Sequence, residues 1–444
     1  MSTPVENPAS SSAGTGPALI DELCTHLLAT KHENVGLLCD FAREFFGRIP
    51  RQLVQERAVE ELTAIVTGAF RFFQDSQPDG SDVQVLNPEE EGWSAPVTVV
   101  RAHLRDRPFI VDTVHEYLRG EMLAIHNYVH PVLGVKRSPS GEVVALGPSS
   151  AGSAEALIHC EVSRIEDPER REEIRSEIER RLRDVVAATD DFTAMRGAVE
   201  RIRAEIATSA AHHPERSPEF EEIEEFLRWL GLDNFVFLGF RGYDIVDHDG
   251  EMRLQVEPGS GLGILRVEGH SAWSDGVPLD QLSEQLLRRV VGGPLLIINK
   301  TNAEATVHRR TRMDYVGIKK MDAEGSIVGE WRFLGLFTSK AYAESADTIP
   351  ILRNKLQAIL GASGAAPGSH DYKEIYTIFN SMPKEELFQA SVAELAEGVQ
   401  TVLSLLFIDE VQVSLRPDPL GRGVSVMIIL PRGRFSGEVR QKIQ

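Results

Sequence analysis

Cysteine is scarce. Cys24, Cys39 and Cys160 are the three in 444 residues, scattered and odd in number, which excludes a disulfide framework and fits the reduced thiols of a cytoplasmic protein. No apolar run approaches the length of a membrane span. Positive charge is also short. The 47 Lys and Arg face 67 Asp and Glu, a net charge of −20 at pH 7, so nucleic-acid phosphates and an anionic membrane surface would both be repelled. The opening stretch, MSTPVENPASSSAGTGP, lacks the basic and apolar regions of a secretion signal and reads as a disordered tail over 1–17. Catalytic signatures are missing as well: there is no G-x-S-x-G elbow, no Walker A loop, no H-E-x-x-H and no Cys-x-x-Cys pair. His126, His130 and the His159-Cys160 pair match no strong zinc spacing, so no metal is expected. The acidic run Glu219 to Glu225 lies on a charged helix and reads as solvated surface.

What is present is soluble globular protein, 42% apolar and 26% charged, long enough for about three domains. Apolar residues at helical spacing predict helices over 18–30, 37–46 and 59–73. An apolar, β-branched run from Pro96 to Leu104 predicts a strand. A helix follows, with Phe109, Ile110, Val114, Leu118 and Met122 in its stripe. Then come an extended segment over 124–136, a hairpin return over 143–146, a strand over 156–165 and a charged helix from Pro168. This order, β-α-β-β-β-α, approaches the ferredoxin-like arrangement, without an obvious final strand. Further helices lie over 194–206 and 220–229. A second set of strands spans 233–246, 251–256, 295–300, 305–308, 315–321 and 327–337, the first two joined across Asp249-Gly250. Helices are expected from Ile349-Pro350 to Leu360, over 372–380 and over 384–407, then strands over 411–415 and 424–430. The fold class is therefore α+β, multidomain, with antiparallel sheet domains joined by helical segments. The expected organisation is a tail (1–17), a helical segment (18–92), a first sheet domain (93–188), a helical linker (189–232), a second sheet domain (233–340), a helical segment (341–408) and the start of a further sheet domain (409–444). Two strands and the opening of a helix cannot close a core, so the sequence is expected to be a fragment cut inside that last domain.

Three stretches are candidates for binding. In the first, Asp106 and Pro108 stand where an N-cap and a first-turn proline would open the helix. The free N–H groups of that helix start suit a carboxylate or phosphate, which makes Asp106, Arg107, Phe109 and Ile110 candidate ligand-binding residues; capping explains the same residues. The second is a basic cluster in an acidic chain, Lys300, His308, Arg309, Arg310 and Arg312. It reads either as an anion or interdomain contact site or as a solvated edge strand. The third, Gly259-Ser260-Gly261-Leu262-Gly263, tempts a dinucleotide reading, but Ile264 stands where the fingerprint needs glycine and no long crossover helix follows. Turn glycines are the better reading.

Several strings, taken in order, resemble the N-terminal part of the large bacterial NAD-specific glutamate dehydrogenases, from about Phe41 onward. They are the 106–112 turn (DRPFIVD), 130–135 (HPVLGV), 234–239 (NFVFLG), 258–266 (PGSGLGILR), 313–317 (MDYVG), 332–338 (RFLGLFT) and 367–371 (PGSHD). The resemblance implies a longer parent enzyme that oxidises glutamate to 2-oxoglutarate and ammonia with NAD, in amino-acid catabolism. It implies homo-oligomers formed through ACT-like and helical segments, and a dehydrogenase domain beyond Gln444. The first sheet domain would then be ACT-like, the second PAS-like, and the last the start of a second ACT-like unit. This segment would be regulatory, non-catalytic and without a cofactor of its own, with an amino acid as a possible effector. Amino-acid-binding ACT domains carry glycine where Phe109 stands, which opposes a ligand at that turn. The alternative is a stand-alone ACT/PAS-type sensor or scaffold.

Overall fold

The computed structural model describes residues 16–29, 34–47, 57–267, 276–405, 410–417 and 424–443. The expected tail falls almost wholly outside these, as does most of the turn after Pro417. The α+β, multidomain class is observed, as two compact units: Met1–Val186 with Thr306–Arg310, and Ala187–Ala305 with Thr311–Gln444. Among the described residues, no helix is long and apolar enough to cross a membrane.

In the first unit, α1 (Gly16–Ala29), α2 (Val35–Phe46) and α3 (Val59–Asp75) precede a six-stranded antiparallel sheet. Its strands are β1 (Asp82–Leu86), β2 (Val97–Arg105), β3 (Ile125–Val129), β4 (Val132–Arg137), β5 (Val143–Pro148) and β6 (Ser153–Ser163); α4 (Ile110–Gly120) follows β2, and α5 (Pro168–Asp190) follows β6. The strand order is β1-β2-β6-β4-β5, with β3 also on β6. The extended segment expected over 124–136 is thus two strands in line along β6, broken at His130-Pro131 because proline has no N–H to give the ladder. Strand, helix, strand and strand follow the ferredoxin-like order. The place of the missing last strand is filled by β1, which precedes the motif and pairs antiparallel with β2. That strand is absent from the sequence reading; its short alternating run, DVQVL, stands between two turns.

Residues alternate across the pleat. Val97, Val99 and Leu157 face α1–α3, where Phe41, Phe45, Phe70 and Phe73 form an aromatic core. Each such ring taken from water contributes roughly 2–3 kcal/mol. The same sheet face carries a buried polar network. Arg101 donates to both oxygens of Glu91 (2.5 and 2.7 Å), to Gln84 Oε1 (3.0 Å) and to His159 Nδ1 (3.2 Å). Glu155 accepts two bonds from Arg137 (3.0 and 2.8 Å) and lies 2.9 Å from His103 Nε2. Arg57 reaches Glu161 at 2.5 Å. On the opposite face, Val100, Ala102, Leu104, Ile158 and Val162 are wholly buried with the stripes of α4 and α5, among them Val114, Leu118, Ile174, Ile178 and Leu182.

The second unit begins its regular elements with α6 (Phe192–His212) and α7 (Ser217–Trp229), then a seven-stranded antiparallel sheet. Strands β7 (Phe235–His248) and β8 (Glu251–Val256) join across Asp249-Gly250 as expected. The short β9 (Leu262–Gly263) and β10 (Val277–Pro278), α8 (Glu284–Val291), β11 (Leu296–Glu304), β12 (Arg312–Met321) and β13 (Ile327–Phe337) complete it, in the order β10-β8-β7-β13-β12-β11. The register sets Val316 opposite Phe333 and Phe333 opposite Phe240. These side chains share one face and join the core of α6, α7 and the later helices. Those helices are α9 (Ser339–Ala343), α10 (Leu352–Ser363), α11 (His370–Ser381), α12 (Lys384–Gln389) and α13 (Val392–Leu405), before the β14–β15 hairpin (Gln412–Pro417, Val424–Ile429) and α14 (Gly437–Ile443).

Four sequence readings need correction here. The single helix over 384–407 is two, because Ser391 starts a new one: its backbone N–H and hydroxyl both bond Glu394, and its hydroxyl accepts from the Glu394 N–H, a capping box. The strand expected over 305–308 does not form; β11 ends at Glu304. Met122 is not in a helical stripe, since α4 ends at Gly120 and Met122 is 92% exposed. Finally, Glu222 is not a solvated surface carboxylate: it is buried and accepts from Arg353 at 3.1 and 2.6 Å.

Candidate functional site

The turn between β2 and α4 opens its helix later than expected. Asp106 is not the N-cap and Pro108 is not in the first turn. Helix α4 starts at Ile110, and Phe109 is the cap residue, at φ 74° and ψ −4°. That left-handed conformation strains a residue with a Cβ. The conformation is one that glycine adopts without strain, but here a side chain fills the space glycine would leave open. The Phe109 ring packs against that of His308, centroids 5.1 Å apart and planes tilted by 52°. His308, itself at φ 70°, sits in the segment Thr306–Arg310 of the same compact unit. Its backbone N–H donates to Thr113 Oγ1 (3.0 Å) and its Nδ1 lies 2.9 Å from Asp112 Oδ2. The first turn of α4 is therefore held by groups of the chain itself.

The four candidate residues of this turn do not converge. Asp106 is exposed and its N–H bonds Ala154 O at 2.9 Å. Arg107 Nη1 reaches Val186 O at 3.4 Å. Ile110 is buried in the core.

The basic cluster is divided between the two units, though Lys300 and Arg312 line one pocket of the second. His308, Arg309 and Arg310 belong to the first unit, Lys300 and Arg312 to the second. Arg310 lies 3.6 Å from Glu121, and Lys300 Nζ is 2.7 Å from Asp314 Oδ1. Closeness in sequence failed as a guide because β11, which carries Lys300, ends at Glu304, and the segment Thr306–Arg310 belongs to the other unit before Arg312 opens β12. Burial drives the Asp314 carboxyl above its ordinary range, while Lys300 opposes the rise.

Sequence reading missed a charged group on the second sheet, on the face away from Phe333. The register places Lys319 opposite Glu330, Gly317 opposite Arg332, and Glu330 opposite Tyr243. Lys319 Nζ donates to Glu330 Oε2 at 3.0 Å and to the carbonyls of Arg289 (2.6 Å) and Val290 (3.3 Å) at the end of α8. The Tyr315 hydroxyl donates to Glu330 Oε1. Burial would raise the Glu330 carboxyl, but Arg332 and Lys319 hold it below the usual range. Burial pulls the Lys319 ammonium below its ordinary value against the pull of Glu330. The available signal was alternation: Tyr315, Gly317 and Lys319 lie two apart in one strand, Glu330 and Arg332 in the next.

The residues at 259–263 do not fit a dinucleotide. A Cβ on Gly261 would lie 2.5 Å from Leu265 O, and one on Gly263 2.1 Å from Leu238 O. These glycines admit neighbouring backbone, and Gly263 pairs with Gly239 in β7. A pyrophosphate cradle needs the same freedom directed at a helix start.

Residues 41–178 match the family model described as glutamate dehydrogenase, ACT1 domain, and residues 349–406 match glutamate dehydrogenase, helical motif 1. The chain is 33% identical to the NAD-specific glutamate dehydrogenase of Halomonas elongata over 415 residues, covering 91% of this chain and 25% of that protein. Identity to the enzyme of the same name from Pseudomonas aeruginosa is 30%, over 91% of this chain and 25% of the relative. For that of Mycobacterium tuberculosis it is 26%, over 86% and 22%. The chain thus spans about a quarter of the length of these curated relatives. The chain carries the ACT1 domain and helical motif 1 of glutamate dehydrogenases, and nine-tenths of its sequence is similar to NAD-specific glutamate dehydrogenases.

Proposed function

We propose that this chain is a non-catalytic regulatory and assembly portion of a cytoplasmic NAD-dependent glutamate dehydrogenase. Oxidation of glutamate to 2-oxoglutarate and ammonia, and the NAD it needs, belong in this reading to a dehydrogenase domain elsewhere in a longer polypeptide. The observation that carries it is the coverage: relatives named for the activity match 91% of this chain with only 25% of their own length. In the same reading the first unit is an ACT-type packing and oligomerisation domain, the seven-stranded sheet is PAS-like, and homo-oligomers form through the ACT-like and helical segments. The filled space at Phe109 favours packing over amino-acid binding at the 106–110 turn.

The test is an NADH-forming assay with glutamate, run on the purified 444-residue chain and on the longest polypeptide of its source cells that an antibody against it detects. Turnover by the long polypeptide alone is the expected result. Turnover by the 444-residue chain would overturn the non-catalytic reading. A native polypeptide of 49.2 kDa without turnover would favour a stand-alone sensor or scaffold.

A further inference from the structure

Below α8, on the sheet face that carries Lys319 and Glu330, lies a cavity of about 280 Å³. This is near the lower end of the range for small-molecule sites, so it suits a small metabolite and not a nucleotide. Glycine at 317 of β12 lets the Tyr315 ring and Glu330 close over the strand beside the cavity. A Cβ there would stand 2.8 Å from the Tyr315 ring and 3.1 Å from Glu330 Oε1.

The wall is charged unequally. Arg289, Lys319 and Arg332 line it with Glu330 as the one carboxylate, while Lys300, also on the wall, is matched by Asp314. Glu330 accepts from Lys319, from the Tyr315 hydroxyl and, at 3.4 Å, from Arg332 Nη2, while Arg332 Nη1 donates to the Tyr243 hydroxyl at 3.1 Å, so the one carboxylate is shared among two cations and leaves none for Arg289. Arg289 makes no ion pair among the described residues; its guanidinium lies 5.3 Å from the centre of the Tyr315 ring. Arg332 lies 5.0 Å from the centre of that same ring and 4.3 Å from that of Tyr243. Two guanidinium groups therefore flank one aromatic ring beside the cavity, in a wall with a surplus of positive charge. Such a surplus out of bulk water calls for a counter-charge. Guanidinium forks match the planar or tetrahedral oxygens of carboxylates and phosphates. Leu254 and Leu286 add an apolar stretch to the wall, suited to a short carbon chain.

We propose that this cavity binds a small anion carrying a carboxylate or phosphate group on a short carbon skeleton, held by Arg289 and Arg332 against Tyr315. The site lies within one compact unit and is independent of the enzymatic reading: binding is measured directly, and a chain that binds the anion without influence on glutamate oxidation still has the site.

The experiment is calorimetric titration of the 444-residue chain with succinate and glutarate in one arm, and inorganic phosphate and glycerol 3-phosphate in the other. Binding of at least one probe below about 1 mM is expected, and the arm that responds identifies the anionic group. Arg289→Gln and Arg332→Gln should each weaken that binding tenfold or more. Arg289 is only half-buried, so its variant carries the test if the Arg332 variant misfolds. No heat in either arm up to 10 mM, or binding unchanged in Arg289→Gln, would overturn the proposal.

Discussion

Arg101 in the first unit offers the sharpest test of how its sheet is held. Its side chain is fully buried and its partner Glu91 is 9% exposed. Arg101→Met keeps the length and apolar stem but removes the guanidinium, so both Glu91 oxygens lose their donor, as do Gln84 Oε1 and His159 Nδ1. Removing one partner of a buried pair costs about 3–5 kcal/mol because the other charge is stranded. Slight water access to Glu91 favours the lower end. Amide hydrogen exchange in β2 reads the loss within the unit, without assuming that the whole chain unfolds in one step. A loss of about 3 kcal/mol corresponds to exchange roughly a hundredfold faster. The double variant Arg101→Met with Glu91→Gln strands no charge and should recover much of the protection. An acceleration under tenfold, or a double variant no better protected than the single one, would refute the reasoning.

Other expectations follow from particular side chains. The first unit should lose stability as pH falls below about 6.5, the ordinary histidine value. Burial depresses the pKa of His103 and of His159 in the folded state, so protons bind preferentially to the unfolded chain, and their contribution is present above pH 6.5 and lost on the acid side. Urea midpoints between pH 5 and 8 that do not move would exclude this. Phe109→Gly should be more stable than Phe109→Ala by about 1 kcal/mol, since both lose the ring but only glycine takes φ 74° without strain; equal melting temperatures would count against the strain. Lys355 bonds the carbonyls of Leu387 (2.7 Å), Phe388 (2.9 Å) and Ala390 (2.8 Å), tying off the break between α12 and α13. Lys355→Met should cost about 2–3 kcal/mol by leaving those acceptors unmet, visible as faster amide exchange in α13; unchanged exchange there would show that water replaces the ammonium.

The sequence by itself determined those elements whose signal is local. An apolar, β-branched run marked β2, and Asp249-Gly250 marked the hairpin of β7 and β8, because strand propensity and turn chemistry act between near neighbours. The Ser391–Glu394 capping box is a local signal that went unread, because apolar residues on either side of it read as one continuous helix. The strings around Asp106 and Gly259 pointed to the family before any contact was known. Only the tertiary structure decided what depends on pairing across distance. It placed β1 beside β2, where a later strand was expected, since a ladder is blind to chain order. It divided the basic residues between two units, because the segment Thr306–Arg310, between the end of β11 at Glu304 and the start of β12 at Arg312, belongs to the other unit. It turned Phe109 into the plug of its own turn, through a histidine 199 residues further on. And it set Lys319, Glu330, Arg332 and Tyr315 around one cavity, because antiparallel register, which no single strand encodes, chooses which residues of neighbouring strands share a face.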